Sequence, residues 1–221
     1  VNTVLDNLDV YAAGFRTTIS LTLLAAMGAL VLGTLIAAMR VSPVPPLRWA
    51  ATAYVELVRN TPLTVVFFLV VFGLPQVDIG TNTTRLPFFR FAVIALTVYT
   101  AAFVAEAVRS GINSVAAGQA EASRSIGMTF GKTLRLVVLP QAFANIIPPL
   151  ASVFIALLKN TSIASAFGVA EALQRSNGLI NRFGNEVLWL LAATALGYVV
   201  LALTASALFR LLERAVAPVT R

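Results

Sequence analysis

The length of the uninterrupted apolar runs limits what this chain can fold into more than any other feature. Between Ile19 and Met39 there are about 21 residues with no Asp, Glu, Lys or Arg, close to the ~20 that an α-helix needs to cross a hydrocarbon core about 30 Å thick. A signal-peptide core is shorter, about 7–15 residues, so this segment is expected to remain in the mature protein. Further runs extend from Pro62 to about Leu74, from about Phe91 to Val108, from Ile146 onward, and from Val187 to Phe209. Backbone groups in hydrocarbon must be satisfied within their own segment, and a helix does this. The runs therefore predict an all-α integral membrane protein with five transmembrane helices, residues 1–221 forming a single membrane domain.

Composition agrees. Only 11% of residues are charged and the mean hydropathy is +0.87, where soluble domains carry about one-quarter charged residues. There is no Cys and no His, which excludes disulfides, zinc sites of the usual kind and imidazole acid–base chemistry. The net charge of +7 is dispersed at the ends of the apolar runs, without the aromatic-interleaved basic patch of a nucleic-acid binder, so no nucleic-acid partner is expected. Five spans place the two ends on opposite sides. With the N-terminus outside and the C-terminus cytoplasmic, only Arg16, Arg85, Arg90, Lys159, Arg175 and Arg182 lie outside, against ten of the 16 Lys and Arg inside, and the positive-inside rule favours that orientation.

Local chemistry suggests where helices start. Thr61 can cap the second span with Pro62 at its first position, and Pro148 with Pro149 suit the first turn of the fourth. A polar, broken loop around Asp78, Gly80, Asn82 and Pro87 separates the second and third spans.

Between the third and fourth spans, Ile126, Phe130, Leu134 and Val137 recur at spacings of four, four and three, one apolar helical stripe. Gly127 and Gly131 flank a turn, predicting two short helices with Glu121, Arg124, Lys132 and Arg135 on the polar side. Such a segment could anchor to a lipid interface, with Glu121 merely solvated. However, Gly118-Gln119-Ala120-Glu121-Ala122-Ser123-Arg124-Ser125-Ile126-Gly127, followed by Leu139-Pro140, resembles the EAA loop of ABC importer permeases. Ser123 departs mildly from that Ala-rich pattern. Tyr54-Val55-Glu56-Leu57-Val58-Arg59-Asn60-Thr61-Pro62-Leu63 and the stretch from Leu139 through Ile147-Pro148-Pro149 to Lys159-Asn160-Thr161-Ser162 resemble the polar amino-acid importers for histidine, glutamine, glutamate and arginine.

The resemblance implies a transmembrane subunit of a type I importer in the bacterial inner membrane. It pairs with a second permease chain, identical or homologous, two cytoplasmic ABC ATPase subunits and an extracytoplasmic amino-acid-binding protein. Gly118, Glu121, Ala122, Arg124, Gly127, Leu139 and Pro140 are implied to form the ATPase-coupling loop. ATP and Mg are used by the partner ATPase; this chain is expected to bind no cofactor and no metal and to have no catalytic residues, since it carries no GxxxxGK[ST] phosphate loop.

Other polar residues admit two readings. Glu56 with Arg59, and Glu106 with Arg109, can pair three residues apart at helix ends, or they can gate transport together with Thr61. Lys159, Asn160, Thr161 and Ser162 lie only about 16 Å of helix beyond Pro148. If the fourth span continues through Ile163 to Val169 they form a substrate path within the bilayer; if it tilts out early, Lys159 snorkels to the surface. The cluster holds a cation and no carboxylate, which favours glutamate, then glutamine or aspartate, with Glu171 and Glu186 close enough in sequence to complicate the choice. A secondary transporter or channel driven by an ion gradient is the alternative, although the inverted repeats of such folds are not seen.

Overall fold

The computed structural model describes residues 2–77 and 87–216, and every regular element among them is helical. After one short turn, α1 (Asn2–Leu5), α2 runs from Leu8 to Arg40. Its 33 residues give roughly 50 Å of helix, longer than the Ile19–Met39 run because Tyr11, Gly14 and Thr18 also find buried neighbours. The α3 helix (Pro45–Arg59) buries only Ala51 and Val55 and leaves Trp49 and Leu57 about 70% exposed.

The chain bends by 109° into α4 (Leu63–Phe68), a π-turn at Leu69–Gly73 and a 3₁₀ turn at Leu74–Gln76. This run is about 21 Å long at 1.5 Å per residue, short of a full crossing. The expectation for Thr61 fails here. Pro62 is the N-cap residue, and the Thr61 hydroxyl donates backwards to Leu57 O at 2.7 Å, so it serves the end of α3. Asp78, Gly80, Asn82 and Arg85 lie outside the described residues, and Pro87 opens α5 (Phe88–Asn113).

The α2 and α5 helices form the centre of the bundle. They approach closely because Ala25, Ala29, Gly33 and Ala37 on one face Ala92, Ala95, Ala101 and Ala105 on the other, all buried. A Cβ at Gly33 would lie 2.6 Å from Val104 Cβ and 2.7 Å from Ala101 O. In lipid there is no hydrophobic drive between helices, so close van der Waals packing of small residues holds them together.

The two short helices expected in the loop are present as α6 (Ala117–Ser125) and α7 (Phe130–Thr133). A π-turn at Leu134–Val138 leads into α8 (Leu139–Asn160). The fourth span thus starts at Leu139, with Pro140 in its first turn, whereas Pro148 and Pro149 sit inside the helix. Membrane helices tolerate proline at such positions; the missing amides free the carbonyls of Ala144 and Asn145, while the Ser152 hydroxyl donates to Pro148 O at 3.4 Å. Beyond Asn160 the chain tightens into a 3₁₀ segment, Thr161–Phe167, and stops at Gly168, whose φ of 81° is left-handed.

After α9 (Ala172–Arg182), α10 (Val187–Val216) completes the described chain. Its Leu188, Leu196, Val199, Leu203 and Leu211 are more than half exposed, as suits a lipid-facing surface. Among the described residues four helices are long and apolar enough to cross a membrane, or five when the bent α3–α4 pair is counted as one span.

Candidate functional site

Where α2, α3 and α5 end together, three guanidiniums surround one carboxylate. Arg40 Nη1 donates to Glu106 Oε2 and Arg109 Nη2 to Glu106 Oε1, both at 2.5 Å. Arg59 Nη1 stands 3.7 Å from the same Oε2, too far for a hydrogen bond, and its guanidinium lies 5.8 Å over the Phe103 ring. Glu106 and Arg109 meet at the i,i+3 spacing, whereas Glu56 and Arg59 do not pair with each other. Arg40, 66 residues away, is a partner that spacing alone does not reveal. A cavity of about 370 Å³ opens beside them, lined by Arg40, Val55, Glu56, Arg59, Asn60, Phe103 and Glu106.

Further along α5 toward the other end, Tyr99, Thr100 and Phe103 form one wall of a second hollow of about 320 Å³, with Ser152, Ala156 and Asn160 of α8 opposite. Tyr99, Phe103 and Glu106 follow one helical face, so Phe103 stands between the two cavities and lines both. The four residues from Lys159 to Ser162 do not share this wall. Asn160 lines it; Lys159 is exposed elsewhere; Thr161 is fully buried and donates to Leu158 O at 2.7 Å; and Ser162 donates to Lys159 O at 2.8 Å. Consecutive residues on a helix point about 100° apart, so adjacent members of this cluster face different neighbours.

The loop after α5 turns on one left-handed position. Gly127 has φ of 89° with open space where a Cβ would lie, and it closes α6 by donating to Arg124 O at 3.0 Å while Met128 N reaches Ser123 O at 3.2 Å. This is the helix-ending geometry for which glycine is suited. Ser123 is buried, its hydroxyl 3.0 Å from that of Thr133, and this contact ties α6 to α7. Thr129 accepts from Lys132 N at 3.5 Å at the head of α7. Gly118, Glu121, Ala122 and Arg124 are exposed, as are Leu139 and Pro140, and Glu121, Arg124 and Ser125 line a shallow depression. The apolar stripe faces outward: Ile126 is 80% and Phe130 73% exposed.

One polar network has no counterpart in the sequence expectations. Glu171 is fully buried. Its Oε1 accepts from Gln174 N at 2.9 Å, capping α9. Its Oε2 accepts from Thr18 at 3.4 Å and from the Tyr198 hydroxyl. Thr18 Oγ1 also accepts from Ala172 N at 3.2 Å. Three helices distant in sequence meet on one carboxylate.

Comparison with known proteins gives a consistent answer. A family model described as a binding-protein-dependent transport system inner membrane component matches residues 29–218. The glutamate transport system permease protein GluC of Corynebacterium glutamicum is 46% identical over 197 residues, 86% of each chain. The probable glutamine ABC transporter permease protein GlnM of Bacillus subtilis is 44% identical over 163 residues, covering 74% of this chain and 73% of its own. A crystal structure of an amino acid ABC transporter with histidines superposes with a TM-score of 0.86 at 36% identity, covering 96% of both chains.

Proposed function

The chain belongs to the family of binding-protein-dependent transport system inner membrane components, and from that premise we propose that it is one permease subunit of an ATP-driven importer of a polar amino acid. A separate ATPase supplies the energy through residues 118–140, and an external binding protein delivers the substrate. The observation that carries this reading is the loop itself. Ile126 and Phe130 stand exposed beside the left-handed Gly127 turn, while α6 follows directly on α5 and the π-turn after α7 runs directly into α8. Force applied at the loop is therefore passed to the two helices that wall the Asn160 hollow, the kind of packed element through which a two-state rearrangement travels.

Glutamate is the favoured substrate, ahead of glutamine and aspartate. With Lys159 turned away from the hollow, support for that order rests on the relatives named for glutamate transport and no longer on a Lys159–carboxylate contact. The N-terminus lies outside and the C-terminus in the cytoplasm, so the loop and the Arg40–Glu106 cluster face the ATPase side.

Two variants test the coupling. Gly127→Pro cannot adopt the required φ, and Glu121→Lys reverses a charge on the docking surface. Both variants are expected in the membrane at normal levels, with ATP-driven uptake reduced about tenfold or more. Uptake at the native rate by both would refute the coupling role. Competition among glutamate, glutamine, arginine and histidine in the same strain ranks the substrates, and a preference for arginine would overturn the glutamate-first order.

A further inference from the structure

The cavity at the ends of α2, α3 and α5 holds charges that its own salt bridges leave over. Arg40 and Arg109 satisfy both oxygens of Glu106 at 2.5 Å, so Arg59 is a third claimant with only a long ion pair, 3.7 Å from an oxygen already taken. One turn earlier on α3, Glu56 lines the same cavity, and its carboxylate makes no hydrogen bond or ion pair among the described residues. Opposite charges three apart on a helix ordinarily close on each other; here both open into a space of about 370 Å³, within the range of small-molecule sites. A guanidinium held only by a long ion pair and a ring contact stands near a carboxylate that makes no hydrogen bond or ion pair among the described residues. Together they complement a small molecule that carries both charges. A simple anion would meet repulsion from Glu56, and a simple cation from Arg59.

We propose that this cavity is an inner binding site for the zwitterionic backbone of an amino acid, with Arg59 taking the α-carboxylate and Glu56 the α-ammonium. The site rests on the permease reading and extends it. Phe103 lines both this cavity and the Asn160 hollow, so an amino acid leaving the hollow passes one ring to reach it. Because the recognised groups belong to every α-amino acid, the inner site does not read the side chain, and selection falls to the hollow and the binding protein. Arg59 exchanges its distant contact with Glu106 for a bidentate one with substrate, while Arg40 and Arg109 keep Glu106 in place.

The chain has no Cys, so Asn60→Cys introduces a single reporter thiol into the cavity. In phosphatidylglycerol vesicles carrying the whole transporter, L-alanine at ten times its dissociation constant is expected to slow alkylation of this thiol about tenfold. Propionate and ethylamine, each lacking one of the two charges, leave the rate unchanged. Adding Arg59→Gln or Glu56→Gln abolishes protection by L-alanine, and Arg59→Lys restores part of it. Both side chains are exposed, so neither exchange disturbs the packed core. Equal protection by all three compounds, or protection that survives both exchanges, overturns the proposal. So does a thiol shielded by added phosphatidylethanolamine and indifferent to L-alanine, which assigns the cavity to a lipid headgroup. ATP-driven uptake measured in the same vesicles judges the permease reading separately: uptake without protection refutes the inner site alone, and protection without uptake refutes the permease reading alone.

Discussion

Glu106 accepts two charge-assisted hydrogen bonds at 2.5 Å and has Arg59 at 3.7 Å, so the members of this cluster are unequal. Glu106→Gln leaves three guanidiniums facing one another and is expected to lower stability by about 1–3 kcal/mol. Arg59→Gln removes only a long contact of a half-exposed side chain and should change stability by less than about 0.5 kcal/mol. Thermal unfolding of the purified protein in detergent measures both, and an inverted order would show that Arg59 is the main partner. At the other end of the bundle, Glu171→Ala strips the cap from α9 and leaves the Thr18 and Tyr198 hydroxyls without their acceptor, at a cost of about 2–4 kcal/mol. Glu171→Gln keeps an acceptor oxygen and should cost less in the same melt. The Glu106–Arg109 contact is legible in the sequence because it is local. The contacts of Glu106 with Arg40 and of Glu171 with Thr18 span 66 and 153 residues, and no spacing rule reaches that far.

Among the elements, the spans are legible because lipid demands long apolar runs, and α6 and α7 because their stripe and glycines stand close together in sequence. The amphipathic α9 is not, since an 11-residue helix with Gln174, Arg175, Asn177, Asn181 and Arg182 resembles a polar loop until its capping partner is seen. The helix starts expected at Thr61 and at Pro148 fail for different reasons. The Thr61 hydroxyl is spent on Leu57 O at the end of α3, and α8 already begins at Leu139, so Pro148 falls inside a helix that lipid lets continue past proline. Close packing gives a direct test at the same scale. Gly33→Ala drives a methyl to 2.6 Å from Val104 Cβ and 2.7 Å from a backbone oxygen of α5, and is expected to cost about 1–3 kcal/mol. Gly178→Ala, on α9 with nothing within 4 Å of the new methyl, should instead stabilise by about 0.5–1 kcal/mol through helix propensity. Equal shifts in melting temperature for the two would mean that α2 and α5 are less tightly apposed than these distances require.

For the whole molecule, α6 follows the last turn of α5, whereas α9 packs against the first half of α2 and the start of α10, so the loop helices and α9 lie at opposite ends of the bundle. Cysteine at Gly178 is expected to react with an impermeant reagent added to whole cells, and cysteine at Gly118 only after the membrane is opened; the reverse pattern would invert the orientation argued from Lys and Arg. The same arrangement dictates an order of events during synthesis. The Tyr11 hydroxyl is answered by the Leu190 carbonyl, 179 residues later, and Thr18 and Glu171 share their network with Tyr198. The first long helix therefore leaves the ribosome with polar groups whose partners have not yet been translated. Contacts of such sequence separation form late, so α2 must wait in the bilayer until α10 arrives, and a nascent chain stalled before Leu190 is an open bundle whose hydroxyls other membrane segments are free to claim.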